Sequence, residues 1–472
     1  MGREPVDRLN PLDAEFLHLE DDVTHLHIAG LSVFEPPAPD LDELIRLVAS
    51  KLHLIPRYRQ RVRSVPLELG RPVWVDAVDF DVRDHVGEAA LPAPGDDAAL
   101  SDLMADLMSR RLDRARPLWE TRLVRGLDGD RWALVFKVHH AMVDGVSGVG
   151  LLTALLDVDR ESVLPEPPPW EPAPEPAGAS LVVDAWAGLA GDAAHLVGQV
   201  PGALSRDPLG ALRSLTEKGE GLVGLGRHLG AAPLLSIEGT IGGARSWAHS
   251  SASLADVKAV GRSAGGTVND VVLAAVSGGY RALLAARGDD PDRAVVTTLV
   301  PVSVRAPGAE GVPDNRVSAI LFDLPVDLAD PVERLARVRA DMDALKRSHM
   351  ADAGEAVTTL GALAPPMVVG TVSRLAARVL HRLPQRSVNT VTTNVPGPQF
   401  PLYCLGREML EYRPFVPITQ GLRVGTAILS YNGRLSFGVT GDRATAPDVG
   451  VLADAVSDEV DALVEATGDL RP

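Results

Sequence analysis

Cysteine is nearly absent: Cys404 is the one cysteine in 472 residues. No internal disulfide can form, and a lone thiol with no histidine near it in sequence is not read as a nucleophile. The scarcity fits a reducing cytoplasm. Aromatic residues are few, at 4%, while the apolar fraction is 46%, so the cores must be mainly aliphatic. Basic residues are in deficit. There are 46 Lys and Arg against 63 Asp and Glu, a formal net charge of −17. A field of that sign repels phosphate backbones and excludes broad nucleic-acid binding. It also opposes general docking on anionic lipid, local basic patches apart. Long apolar runs are missing as well. Met1 to Asp13 hold no core of signal-peptide length. The nearest thing to a span, Ala356 to Ser373, is broken by Pro365-Pro366. A spanning helix wants about 20 mainly apolar residues. The segment is expected to be buried or to rest on an interface.

Proline, by contrast, is concentrated. Leu164 to Ala179 carries the run Pro165-Glu166-Pro167-Pro168-Pro169 and reads as an extended connector. It divides two stretches in which helix and strand patterns mix. Before it, His25 to Phe34, Leu118 to Val124 and Trp132 to Val138 read as strands. Leu41 to His53, with Asp40 as N-cap, and Ala98 to Leu112 read as helices. A helix over Val146 to Leu156 is expected next. Segment 181–230 reads as short helices. After it, Arg245 to Ser251, Val295 to Val302, Val317 to Leu324, Val388 to Val395, Leu422 to Tyr431 and Leu435 to Gly441 read as strands. Asn432-Gly433 marks a hairpin between the last two. Helices are expected from Ser253 to Arg262, over Thr267 to Ala286 and Pro331 to His349, and at the end over Ala446 to Glu465. The expected organisation is a mixed α/β first domain over 1–160, a Pro-rich linker and helical crossover over 161–244, and a second α/β domain over 245–472.

The chemistry concentrates in His139-His140-Ala141-Met142-Val143-Asp144-Gly145, which follows the apolar run Leu134 to Val138. A strand end gives rigid support to a side chain aimed into a cleft. Adjacent strand residues point to opposite faces, so one histidine of the pair should meet substrate. An ordinary imidazole titrates near pH 6.5 and can take a hydroxyl proton. Asp144 could orient an imidazole or brace the loop through an arginine. Gly145 allows a sharp backbone path. A bland reading, two histidines filling a strand end, fits an isolated residue better than the whole pattern. A metal site lacks any further ligand cluster of recognisable spacing. His25 and His27 share one strand face and read as structural. Gly145-Val146-Ser147-Gly148-Val149 fails the Gly-x-Ser-x-Gly elbow at its last position.

The His-His-x-x-x-Asp-Gly motif resembles that of the chloramphenicol-acetyltransferase-like CoA-dependent acyltransferases. Further segments resemble the bacterial wax ester synthase/diacylglycerol acyltransferase family within that superfamily. They are Leu12-Asp13-Ala14-Glu15-Phe16, Pro117-Leu118-Trp119, Gly266-Thr267-Val268-Asn269-Asp270, Pro301-Val302-Ser303-Val304-Arg305, Asp314-Asn315-Arg316-Val317-Ser318 and Asn394-Val395-Pro396-Gly397-Pro398. In order they cover nearly the whole chain. The Asp-Phe-Gly-Trp-type segment of other branches has no copy here.

The resemblance implies two chloramphenicol-acetyltransferase-like α/β domains with an active-site tunnel between them. It implies His140 as general base, with His139, Asp144, Gly145 and Asn269 completing the catalytic set. Pro117, Leu118, Trp119, Asp270, Asn394, Pro396 and Gly397 are the implied substrate-binding residues. Each has a structural alternative. Trp119 could pack the core, Asn269 and Asp270 could begin a helix, and Asn394 to Pro398 could be a turn. The implied reaction moves a long-chain acyl group from acyl-CoA to diacylglycerol or a long-chain alcohol. No metal or prosthetic group is expected, with acyl-CoA as co-substrate. The expected location is the cytoplasm, peripherally on the inner membrane face or on lipid inclusions. Two rivals remain: a carrier-protein-dependent condensation or polyketide-associated acyltransferase, and a non-enzymatic lipid-droplet protein on a degenerate acyltransferase fold.

Overall fold

The computed structural model describes residues 7–142, 154–161, 164, 166–187, 234–303, 317–347 and 388–468. The first stretch contains α1 (Pro11–Leu19), β1 (His27–Phe34), α2 (Leu41–Lys51), β2 (Val86–Ala90), α3 (Asp97–Met108), β3 (Trp119–Arg125) and β4 (Trp132–His139). Residues 178–187 are helical. The later stretches contain β5 (Arg245–Ser253), α4 (Leu254–Ser263), α5 (Val268–Ala286), β6 (Val296–Ser303), β7 (Val317–Leu324) and α6 (Pro331–Arg347). They continue with β8 (Thr390–Pro396), β9 (Tyr403–Cys404), β10 (Arg407–Phe415), β11 (Val424–Tyr431), β12 (Arg434–Asp442) and α7 (Val449–Gly468).

These strands build two six-stranded sheets, in the orders β9-β10-β1-β4-β3-β2 and β7-β6-β8-β11-β12-β5. Side-chain alternation explains the layering of the first. Val138 and Phe34 join Leu44, Leu47 and Val48 of α2 in one core. Leu31, Val33 and Val135 join Met104 and Met108 of α3 in another. A sheet covered by helices on both sides needs apolar residues at both phases of its alternation. The second sheet packs against α5, which is enclosed by apolar neighbours from α4, α6 and α7. Ser253 caps α4 by accepting from Asp256 N at 3.3 Å, as the sequence leads one to expect.

The sheets do not respect the expected boundary at residue 245. β10 runs antiparallel to β1, from Ala29 opposite Phe415 to Val33 opposite Glu411. Residues 403–415 therefore complete the first sheet from the far side of the linker. An unpaired β1 would present a row of open N–H and C=O groups, and β10 covers it. The sequence conceals β10 because it carries buried Arg413 and Pro414. The Arg413 guanidinium is satisfied by Glu411 and Asp97 at 2.8 Å each. The link from β5 back to the first sheet is equally direct: Trp247 packs among the α3 residues and donates from Nε1 to Pro414 O at 3.3 Å.

Candidate active site

β4 delivers the two histidines to different surroundings. His139 N donates to Leu118 O at 2.9 Å, and His140 N donates to Leu26 O at 2.8 Å. Strands β3 and β1 thus hold the motif from both sides. His139 is fully buried, opposite His27 in the register. Its Nδ1 accepts from Ala141 N at 3.1 Å, which puts its proton on Nε2. That nitrogen lies 3.6 Å from Glu20 Oε1, and His27 Nε2 lies 3.0 Å from the same oxygen. Arg114 closes the cluster, donating to Glu20 Oε2 from Nε at 2.9 Å and from Nη2 at 2.6 Å.

The cluster is electrostatically divided. Burial opposes ionisation of Glu20, but the His27 and His139 rings and the Arg114 guanidinium outweigh it. Its carboxyl is held well below the usual range. Burial pushes His27 down to about 4 and His139 down to about 3. At neutral pH both rings are neutral beside an ionised carboxylate anchored by arginine.

His140 faces the other way and is half-buried. Its ring centroid is 4.2 Å from that of Phe16 on α1, tilted at 43°. Burial lowers its pKa, so the ring is neutral at pH 7. Its Nδ1 is shut off from solvent and bonds to no other described side chain, and the ring's own backbone is the hydrogen-bonding group that acts on it. A neutral imidazole whose ring is held in this way can accept a proton, as a general base must.

Asn269 lies in the first turn of α5 and Asn394 on β8. Asn394 Nδ2 donates to Asn269 Oδ1 at 3.2 Å, which leaves the Asn269 amide N–H groups as donors. No hydrogen bond joins His140 to either asparagine among the described residues. Asp270 sides with the capping alternative. Its Oδ2 accepts from Thr267 N at 2.7 Å and from Thr267 Oγ1 at 2.8 Å. Threonine at the N-cap and an acid three residues on satisfy each other's backbone donors.

Pro117, Leu118 and Trp119 are all buried. Trp119 stacks on His85 at 4.6 Å and donates from Nε1 to Tyr58 O at 2.9 Å. The Leu118 carbonyl holds His139. The segment thus builds the wall behind the motif, in keeping with the packing alternative. Pro396 is exposed at the end of β8. A Cβ on Gly397 would stand 2.2 Å from Ser430 O, so only glycine lets the chain pass this close to β11. Cys404 is buried, its thiol pushed up to about 12 by burial, and is inert. Asp144, Gly145 and Arg305 lie outside the described residues. So do Ala356 to Ser373, most of segment 181–230, and the greater part of the helix expected over Val146 to Leu156. Glu20, Arg114 and Leu26 escaped the sequence reading. Arg114 is 94 residues from Glu20, and no local pattern announces such a pair.

Among the described residues no group of three His, Cys, Asp or Glu side chains could hold a metal ion. No helix among them is long and apolar enough to cross a membrane. Fold and double histidine together define the CoA-dependent acyltransferase class. Profiles of the wax ester synthase/diacylglycerol acyltransferase catalytic domain and of the WS/DGAT C-terminal domain match residues 9–272 and 314–464. The chain belongs to the wax ester synthase/diacylglycerol acyltransferase family. It is 37% identical to a Mycobacterium tuberculosis protein named "Probable diacylglycerol O-acyltransferase tgs1", over 97% of this chain and 96% of that one. Among solved structures, a wax ester synthase/diacylglycerol acyltransferase from Marinobacter aquaeolei VT8 superposes with TM-score 0.69 at 27% identity. That match covers 98% of this chain and 100% of the other. The first condensation domain of the calcium-dependent antibiotic synthetase shares the fold, with TM-score 0.59 at 15% identity, over 98% of this chain and 96% of that one.

Proposed function

We propose that this protein transfers a long-chain acyl group from acyl-CoA to the free hydroxyl of diacylglycerol, with long-chain alcohols as a second acceptor class. The observation that carries the reading is His140, a neutral, half-buried imidazole held at a strand end by Leu26 and backed by Phe16.

The reaction is a direct transfer. The His140 ring takes the hydroxyl proton as the alcohol oxygen attacks the thioester carbonyl. A tetrahedral oxyanion forms and needs donors in a site poor in water. The free N–H groups of the Asn269 amide suit that role, with Asn394 fixing the amide's orientation. Collapse breaks the carbon–sulfur bond, and the departing thiolate takes the proton from His140. CoA thiol and ester are released, and the base is again neutral. The scheme uses no metal or prosthetic group. Diacylglycerol and the ester product partition into apolar phases, so the reading includes peripheral attachment to the inner membrane face or to lipid inclusions.

The test is incubation of the purified chain with radiolabelled palmitoyl-CoA and, separately, dioleoylglycerol and hexadecanol, with thin-layer separation of products. Labelled triacylglycerol or wax ester supports the reading and ranks the acceptors. Transfer to neither, with the protein folded, overturns it. Attachment is checked by fractionating lipid-loaded cells. Release of pelleted protein by carbonate fits a peripheral site, and retention does not.

A further inference from the structure

The first sheet carries, on its α2 side, a cavity that the reaction scheme leaves unused. Along β4, which ends one residue before His140, the residues on this face are Val138, Phe136 and Leu134. Opposite them on β1 stand Ile28, Gly30 and Ser32. All six line one cavity, roofed by Leu44, Leu47 and Val48 of α2 and closed by Cys404 and Tyr412. Its volume is about 70 Å³, several times the roughly 10–15 Å³ that one water needs by the same measure. Its walls are almost wholly carbon, with Ser32, Thr121 and Tyr412 supplying the hydroxyls. A water kept there would find few partners, whereas an alkyl chain would find contact on every side.

Two details give the cavity a direction. Its near end is Val138, two residues along the chain from His140. Its far end is Phe34, two residues beyond Ser32, which faces Leu134 in the register. On β1 the lining runs from Ile28 to Phe34, about 20 Å at ordinary strand rise, which matches the reach of a long-chain alkyl group. The width is set by a small-for-large exchange. A Cβ on Gly30 would stand 1.9 Å from the Tyr412 hydroxyl oxygen. Glycine on β1 therefore makes room for a tyrosine brought in by β10, and that ring narrows the channel.

We infer that this cavity between α2 and the first sheet is the binding site for the unbranched alkyl chain of one substrate. Phe34 closes its depth, Ser32 stands just short of that end, and Tyr412 sets its width. The inference rests on the acyltransferase reading, since it is the reacting carbon at His140 that places the chain's head. The chain belongs either to the acyl thioester or to the alcohol, and both have the same alkyl chemistry.

The first experiment needs no turnover. Palmitoyl-CoA and hexadecanol, each with a diazirine at the chain terminus, are photolysed separately with the full-length protein, and crosslinks are mapped by mass spectrometry. Label in residues 28–34, 134–138 or 402–412 is expected from one probe, and that probe identifies the chain. Label confined to other segments with both probes overturns the site. Cavity label in a protein that makes no ester keeps the site and overturns the functional reading. Ester formation without cavity label does the reverse.

The second experiment uses Ser32→Leu, which blocks the cavity just short of Phe34, and Tyr412→Leu, which widens it. For Ser32→Leu, kcat/KM should fall about fourfold for each methylene excluded, as follows from the ~0.8 kcal/mol that burying one contributes. Short chains of the same substrate should be unaffected. Tyr412→Leu should shift the preferred length upward. An equal loss at every chain length, or unchanged length profiles for both substrates in both variants, overturns the inference.

Discussion

The two sheets have six strands each, and both bury charged groups. Arg245, Asp442 and Arg334 lie beside the second, but beside the first such groups gather around His27 and His139. Around the second, Val271, Leu273, Val276, Leu452, Val456 and Phe437 make an apolar core closed by α5 and α7. Around the first, ionisable groups sit inside the wall. Lys137 is buried and donates from Nζ to Leu107 O at 3.0 Å and to Glu120 Oε1 at 3.2 Å. Glu20, His27, His139 and Arg114 form the cluster at the end of β4. Burying such groups costs stability unless each is paired. The cost falls where the chain must hold one imidazole in a fixed place. At the second sheet, Asn394 on β8 and Asn269 at the start of α5 are joined by a hydrogen bond.

The contrast can be broken first at the histidines. His140→Ala should lower ester formation by about 10²–10⁴-fold, the usual range for loss of a general base, with the melting temperature unchanged. Near-normal turnover in a folded variant would remove His140 from the chemistry. Glu20→Ala should act through stability. It leaves the buried His27 and His139 rings without the carboxylate between them, while Arg114, 41% exposed, turns to solvent, and an unsatisfied buried polar group costs about 1–3 kcal/mol. A melting temperature equal to wild type would mean that the cluster is not the costly region described here.

The second sheet should respond in another currency. Leu452→Ala on α7 opens a void in an aliphatic core, for about 2–5 kcal/mol. Denaturant unfolding should show that loss, while kcat per folded molecule stays the same. A fall in kcat at full folding would mean that α7 reaches the chemistry.

The smallest effect, and the finest comparison, is with pH. His27 and His139 have folded pKa values of about 4 and about 3, below the unfolded value near 6.5. Between those values the unfolded chain binds more protons, so stability rises with pH. It is complete above about pH 6.5 and is lost as pH falls through that value towards the folded ones. The slope is about 1.4 kcal/mol per pH unit for each ring. The Glu20 carboxyl, held below its usual range, adds a loss of the same sign at lower pH. Thermal melts at pH 7.5 and 5.5 should therefore show a drop in wild type and a smaller one in His27→Asn. Equal drops would exclude His27 from the linkage.

Much of this protein was legible in its sequence because the physics involved is local. Alternation along Trp132 to Val138 gives a strand, Ser253 and Thr267 start helices because their side chains meet free N–H groups, and Asn432-Gly433 turns a hairpin. The double histidine at the end of an apolar strand pointed to a base, and the surrounding segments pointed to the family. Strand alternation alone separated the two histidines, and the structure gives them different surroundings. The tertiary structure decided what depends on distant partners. It showed β10 crossing to cover β1, Trp119 sealed against His85 and Tyr58, and Asp270 engaged with Thr267. It also brought Glu20 to His139 and Arg114 across long stretches of chain, and set Tyr412 over the space that Gly30 leaves. A periodic pattern states which face of an element is apolar. What that face meets is fixed only when the whole chain closes around it, because packing and ion pairing act between residues that no spacing rule connects.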